Sequence, residues 1–439
     1  MKTALAAPST RLDRLCLRPL AATVALILCT TAPAAIAAGL HVVTTCNDTL
    51  TPVCGFGDDG TLRQAYFCAT GNDTIDLTQL QCSKITLHAA LASAFGNVTL
   101  NGPGREKLTI EAGGKFRVLA HSGAATDTLS INGLTITDGH YENPYTYSEG
   151  GGCIFSSANV SLNSSRVSGC YTSSPLSFAA GGAILAKGDV TLVNSTISSS
   201  TAAYSSSESL GGGIRANSVH LVNSRLSYNR ANRGGAISAN FFQSYSSTIA
   251  YNYANIIGGG AYVRNSSVIV NSTIWRNRAG YIGGVDAIGG GTVYNSTIAF
   301  NYARPGGFSN KLAAGITGRY LYLESSIVAG NMAGSTPSDV AGTGAGLTIS
   351  GTHNLVMASI AGTNVLPDTI TADPQLLGLA DNGGPTATVA LSPSSPAINH
   401  GVNFLQLPFD QRGVPRVIGG SADIGAFESD HLFSDGFNR

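Results

Sequence analysis

The sequence predicts an all-β chain wound into a right-handed parallel β-helix, a single-stranded solenoid closed by N- and C-terminal caps. Three observations lead there. Glycine is abundant, at 54 of 439 residues, while only 11% of residues are charged, which suits short strands joined by tight turns. A motif of the form Asn-Ser-(Thr/Ser/Arg)-Ile recurs with a period of roughly 23 to 31 residues, within the range of solenoid repeats. Its instances are Asn163-Ser164, Asn194-Ser195-Thr196-Ile197, Asn223-Ser224-Arg225-Leu226, Ser246-Ser247-Thr248-Ile249, Asn271-Ser272-Thr273-Ile274, Asn295-Ser296-Thr297-Ile298 and Glu324-Ser325-Ser326-Ile327. Between them lie alternating β-branched runs such as Val190-Thr191-Leu192-Val193 and Ser267-Val268-Ile269-Val270, with no stripe of helical period.

From the N-terminus, Lys2, Arg11, Arg14 and Arg18 precede the apolar run Leu20 to Cys29 and the small residues Thr30 to Ala38. This is the pattern of an export signal over residues 1–38, and the apolar run is shorter than the ~20 residues that span a bilayer. Residues 39–149 are expected to form an N-terminal cap and the first rungs, 150–345 the repeats, 346–429 a C-terminal domain and 430–439 a tail. Removal of the signal leaves Cys46, Cys54, Cys68, Cys82, Cys153 and Cys170, an even set suited to disulfides in an oxidising compartment. Their order suggests Cys46 with Cys54, Cys68 with Cys82 and Cys153 with Cys170, but spacing leaves other connectivities open. No CxxC pair or His/Cys cluster points to a metal.

Within the repeats, Ile197, Leu226, Ile249, Ile274, Ile298 and Ile327 read as one inward aliphatic ladder. Asn229, Asn252, Asn277, Asn301 and Asn331 follow the same strands. Asn tolerates a left-handed turn, and its amide can bond its counterpart one rung away, so they read as a structural ladder. The pairs Gly181-Gly182, Gly212-Gly213, Gly234-Gly235, Gly259-Gly260 and Gly283-Gly284 suit the other tight corner. None opens a helix that would cradle a phosphate.

Two further stretches resemble known families. Thr61-Leu62-Arg63-Gln64-Ala65, with Gly71-Asn72-Asp73-Thr74-Ile75 after it, resembles the CSLREA-type opening of secreted bacterial β-helix proteins. Here Gln stands for the usual Glu and Gly60 for the leading Cys. Asp373-Pro374, Asp381-Asn382-Gly383-Gly384-Pro385-Thr386, Ser395-Pro396-Ala397-Ile398, Asp410 to Arg416 and Asp423 to Glu428 resemble, in order, the choice-of-anchor Q domain. Units such as Asn229-Arg230-Ala231 leading to Gly234-Gly235-Ala236-Ile237 are similar to the repeats of chlamydial polymorphic outer-membrane proteins. These resemblances imply a pectate-lyase-like β-helix exported to the bacterial surface or medium. They imply no particular activity.

A β-helix serves lyases, hydrolases and adhesins alike, so the fold leaves function open. Glycosidic hydrolysis usually needs two carboxylates roughly 5 to 9.5 Å apart. Between residues 151 and 310 the only acids are Asp189, Glu208 and Asp286, at different phases of the repeat. A calcium-dependent lyase would need a clustered acidic ligand set, and none is visible, so no catalytic residue, cofactor or metal is nominated. The acids of the C-terminal domain are read as braces for turns.

Charge offers a sharper lead. Over residues 151–310 ten basic residues face those three acids, although the whole chain is neutral. Arg230, Arg233, Arg264, Arg276 and Arg278, with Trp275 and Tyr251, form the expected glycan-binding set, since guanidinium forks and aromatic faces suit sugars. The bland alternative is that these side chains keep a long β-surface soluble. The expectation is a monomeric, non-catalytic extracellular or cell-surface protein that binds glycans or other surfaces. It would have no nucleic-acid partner and no membrane span once the signal is gone. The alternative is a lyase or hydrolase acting on an acidic polysaccharide.

Overall fold

The structure, a computed structural model, describes residues 38–55, 59–142, 149–175, 177–203, 208–305, 313–342, 349–359 and 368–429. The expected export signal, apart from Ala38, and the tail at 430–439 lie outside the described residues. Parallel strands stack into a β-solenoid with three faces, of twenty, twelve and eleven strands among the described residues.

One rung shows how the sequence is used. Ile184–Ala186 and Val190–Val193 form face A, Thr196–Ser198 face B, and Thr201–Ala202 with Ser209–Leu210 face C. Each pairs in parallel with the next rung: Ile184 with Ile214, Val190 with Val219, Thr196 with Arg225, Thr201 with Arg230. The glycines close face C onto face A. At Gly234, φ is 66° and a β-carbon would collide with the Ile237 carbonyl oxygen, so only glycine turns the chain there.

The aliphatic ladder on face B holds through Ile197, Leu226, Ile249, Ile274 and Ile298, all fully buried. Its next member is Val328, paired with Ile298; Ile327 pairs instead with Thr297. The expectation for Ile327 was therefore displaced by one residue, which in a strand reverses the face. Ser325 takes the left-handed position (φ 48°) held by Asn295 (φ 43°) in the rung before, and this sets the true register.

Two polar ladders run beside this core. At the corner between faces B and C, Asn229, Asn252, Asn277 and Asn301 each donate through Nδ2 to Oδ1 of the next Asn, at 2.9–3.0 Å. The same Oδ1 atoms accept the backbone N–H one rung earlier, as from Asn252 to Asn277 at 3.0 Å. Asn331 ends the series by donating to Asp339 Oδ1 at 2.8 Å. Burial pushes the Asp339 carboxyl up to about 6, against the Asn331 and Ala358 donors that favour its ionised form. The left-handed residues of this corner are not the Asn themselves but those before them, Tyr228, Tyr251, Arg276 and Phe300, with φ of 48–60°. Such backbone costs a bulky residue roughly 1–2 kcal/mol, and the ladder bonds hold it in place.

The second ladder lies between faces A and B. Ser165, Ser195, Ser224, Ser247, Ser272 and Ser296 each donate a backbone N–H to the side-chain oxygen of the next Ser, ending with Ser326 on Asn354. Asn194, Asn223, Asn271 and Asn295 take the left-handed position there. The Asn-Ser pair thus has a division of labour, Asn turning the chain and Ser satisfying the backbone inside.

At the N-terminal end the helix Leu62–Cys68 packs on the first rungs, started by Thr61, whose side chain accepts from Gln64 N. Arg63 is 7% exposed and grips Asp48 through Nε and Nη2 at 2.6 and 2.8 Å. The disulfides are Cys46–Cys82, Cys54–Cys68 and Cys153–Cys170, so only the third of the pairings suggested by order is made. The helix carries Cys68 back beside Cys54 and frees Cys46 for Cys82.

The C-terminal segment lies along face B. Its hairpin, Leu376–Ala380 with Thr388–Leu391, supplies Val389, Leu376 and Leu379 against Trp275, Ala250 and Ala299. Leu391, Ala397 and Ile424 pack on Ile327, Ala329 and Leu355. Polar contacts tie it down across four rungs: Thr248 Oγ1 to Ala387 O (2.6 Å), Asn271 Nδ2 to Phe409 O (2.7 Å), Ala426 N to Thr297 Oγ1 (3.1 Å) and Gly425 N to Ser325 O (2.9 Å). From residue 376 the segment thus runs as a buttress along the side of the stack, while Ile349–Ser350 and Leu355–Val356 before it continue the helix itself.

Candidate functional site

Strand pairing on face C builds an outward column of unusual composition. Thr201 pairs with Arg230, Arg230 with Tyr253, Tyr253 with Arg278, and Arg278 with Tyr302. Residues in one register point the same way, so cation and ring alternate along the solenoid axis. Each Arg lies over the next ring: the Arg230 guanidinium is 5.0 Å from the Tyr253 centroid and that of Arg278 is 4.9 Å from Tyr302. Arg304 adds a second guanidinium to Tyr253, at 5.4 Å. All three distances suit cation–π attraction, which holds the cations splayed on the surface.

A second column runs alongside, two residues earlier in each rung, because the ladder Asn between them points inward. It consists of the left-handed residues Tyr228, Tyr251, Arg276 and Phe300. Tyr228 and Tyr251 stack with centroids 5.3 Å apart, and Tyr228 is 57% exposed. No acid sits in either column over these four rungs. Toward the N-terminus the face C column continues through Tyr171 and His140. There it meets a cleft of about 520 Å³ lined by Lys115, Phe116, Arg117, Tyr141 and Glu142.

The residues expected from sequence divide among three places. Arg230, Arg276, Arg278 and Tyr251 lie on this strip. Trp275 does not: it is 2% exposed, because the small Ala250 and Ala299 on either side leave room for the indole under the C-terminal hairpin. Arg233 belongs to a third group, where face C turns into face A, and Arg264 lies on face A, where its charge acts on Arg215.

That group gathers around Arg233, which binds Glu208 Oε1 through Nη2 at 2.7 Å and Nε at 3.0 Å and lies over the Tyr262 ring. Burial opposes its charge, but Glu208 and Tyr262 outweigh that and hold the guanidinium above its usual value. On face A the outward column reads Arg215, Ser238, Tyr262, Asp286 and Thr317. Asp286 is 3% exposed, and burial pushes its carboxyl up to about 7, with Arg233 pulling the other way. Burial and Arg264 lower the affinity of Arg215 for its proton. Glu208 and Asp286 thus both act on Arg233, although repeat phase keeps them apart in sequence. Among the described residues, no three His, Cys, Asp or Glu side chains cluster as metal ligands would.

No protein-family model matches the chain, and neither does any curated protein. What the strip can do must therefore be argued from its chemistry. An extended anionic polymer with sugar rings would meet guanidinium forks for its acidic groups and ring faces for its C–H surfaces. The signal for the full strip was present in the sequence: its residues flank each ladder Asn on either side, at 228/230, 251/253, 276/278 and 300/302.

Proposed function

We propose that this is an exported, non-catalytic β-helix protein that binds an acidic polysaccharide or cell-surface glycan along the strip of faces B and C. The alternating column Arg230, Tyr253, Arg278, Tyr302 carries this reading. A single rung offers a weak contact, and a polymer engaging several rungs gains by effective concentration. Three disulfides suit an oxidising compartment, and no described helix is long and apolar enough to cross a membrane. The resemblance of the C-terminal blocks to the choice-of-anchor Q domain, and of the opening to CSLREA-type proteins, supports a bacterial surface or extracellular setting.

The test is retention of the protein on an immobilised acidic polysaccharide. Replacing Arg230, Arg276 and Arg278 together by Ser should abolish it, while Arg105→Ser, at the corner between faces A and B where Arg105 meets the Asn194 carbonyl, should leave it intact. Undiminished retention of the triple variant would sink the proposal.

A second reading, cleavage of such a polymer, is favoured by one observation: a buried carboxyl, Asp286, that takes up its proton near neutral pH beside Arg233, as an acid–base group requires. New reducing ends or unsaturated uronate products, lost in Asp286→Asn, would establish it.

A further inference from the structure

We infer that face A carries a separate site, a notch that takes one uncharged sugar ring, and that this site does not depend on the cationic strip. Its outline follows from register. On the outer surface Phe241 pairs with Ser266, and the next two rungs set Gly290 and then Tyr320 in the same column. The column beside it reads Gln243, Val268, Thr292 and Tyr322. Phe241 is 42% exposed and Tyr320 66%, and their strands stand three rung spacings apart, about 14 Å. Short side chains fill the rungs between them.

Toward Tyr320 this gap deepens into a notch of about 300 Å³, lined by Ser266, Gly290, Thr292, Tyr320 and Tyr322 with their neighbours. That is the small end of the range for ligand cavities. The backbone keeps its floor bare: φ at Gly290 is 143°, and a β-carbon there would come 2.9 Å from the Tyr320 carbonyl oxygen.

One wall is fixed in advance. Tyr322 donates its hydroxyl to Glu324 Oε2 at 2.9 Å. The same carboxylate is 2% exposed and accepts Thr352 Oγ1 at 2.7 Å and Thr352 N at 3.1 Å. A ring held before the ligand arrives costs little further ordering on binding. Arg319 stands 5.5 Å from the Tyr320 centroid but does not line the notch.

The lining names the ligand class. Among the residues that line the notch none is charged. Phenol rings suit the C–H face of a pyranose, and the hydroxyls of Ser266 and Thr292 can donate to and accept from sugar hydroxyls. An acidic sugar would lose solvation here without gaining a partner, with the Glu324 carboxylate behind the wall.

The experiment is saturation-transfer NMR on the whole protein with four probes: the methyl glycosides of glucose, galactose and mannose, and methyl glucuronide. At least one neutral glycoside should receive transfer at its ring C–H protons, and the glucuronide clearly less. Tyr320→Ala should weaken that binding about tenfold. Ser266→Trp, which fills the notch from an exposed position, should abolish it, and it keeps the test open should Tyr320→Ala fail to fold. Arg230→Ser, on the strip, should leave it unchanged, with far-ultraviolet spectra and melting temperatures showing that each variant keeps the stack. No transfer to any neutral glycoside, or transfer that survives Ser266→Trp, would overturn the assignment. Equal transfer to the glucuronide would overturn the restriction to uncharged sugars.

Discussion

Thr273 donates its hydroxyl to Gln411 Oε1 at 2.6 Å, joining a repeat to the C-terminal segment across 138 positions of sequence. Gln411 returns the contact one rung away, its Nε2 donating to Thr248 Oγ1 at 2.9 Å. Both ends are buried, Thr273 at 0% and Gln411 at 1% exposure. One amide therefore bridges two rungs of the stack, and its loss leaves the buried Thr273 hydroxyl without an acceptor, while Thr248 still donates to Ala387 O.

Gln411→Ala should loosen the buttress at a cost of roughly 1–3 kcal/mol, from the buried Thr273 hydroxyl left without a partner. The only Trp in the chain, Trp275, lies beneath the same segment and reports on it directly. Its emission should be blue-shifted in the native protein and move toward the red at lower denaturant in Gln411→Ala. Coincident shifts in the two proteins would show that Gln411 is not what holds the segment down.

The Asn ladder should be least tolerant at its middle. Asn277→Ala removes the acceptor of both Asn252 N and Asn252 Nδ2 and the donor to Ile249 O and Asn301 Oδ1. A loss of about 3–5 kcal/mol is expected, read as a lower urea midpoint with an unchanged slope. Asn229→Ala, at the N-terminal end of the series, should cost less, because Ser200 already replaces Asn in the rung before it.

Asp286 should make stability depend on pH. Its carboxyl is pushed up to about 7 in the native protein from 3.8. The native state therefore holds a proton that the unfolded chain releases between about pH 4 and 7, and stability from this group falls as pH rises through that window. Asp286→Asn removes the dependence. Relative to the unaltered protein it should gain up to about 4 kcal/mol at pH 8 and little at pH 4, measured as the difference in denaturation midpoints. A gain that does not change with pH would mean that Asp286 ionises normally.

The fold was legible because its signals are local and repeated: period, β-alternation, Gly corners and inward Asn all act within one rung or between neighbours. The misreadings share the opposite property. Ile327 was placed one residue out because Glu324-Ser325-Ser326-Ile327 matches the motif by letter, while the left-handed Ser325 sets the register by geometry. Trp275 looked like a surface ligand because nothing near it in sequence announces the hairpin at 376–391 that covers it. Cys46 and Cys82 pair across 36 residues because a short helix redirects the chain between them. The strip is half visible in sequence, where Arg230, Arg276 and Arg278 each adjoin a ladder Asn, but the alternation of the face C column with Tyr253 and Tyr302 follows only from strand register.

The Asn ladder also has a direction. Every link points its N–H toward the C-terminal rung and its carbonyl toward the N-terminal one, so the amide dipoles add head to tail, as in a helix. The positive end of that row meets the one carboxylate in the series, Asp339, an anion at the pole where it is most favourable. Any rung inserted within the row repeats the same link and leaves both poles unchanged, whereas a rung added beyond Asp339 would face an acceptor with no amide to pass the bond along. The position of a single charge thus marks where this polar row stops, while the strands of the solenoid continue on both sides of it.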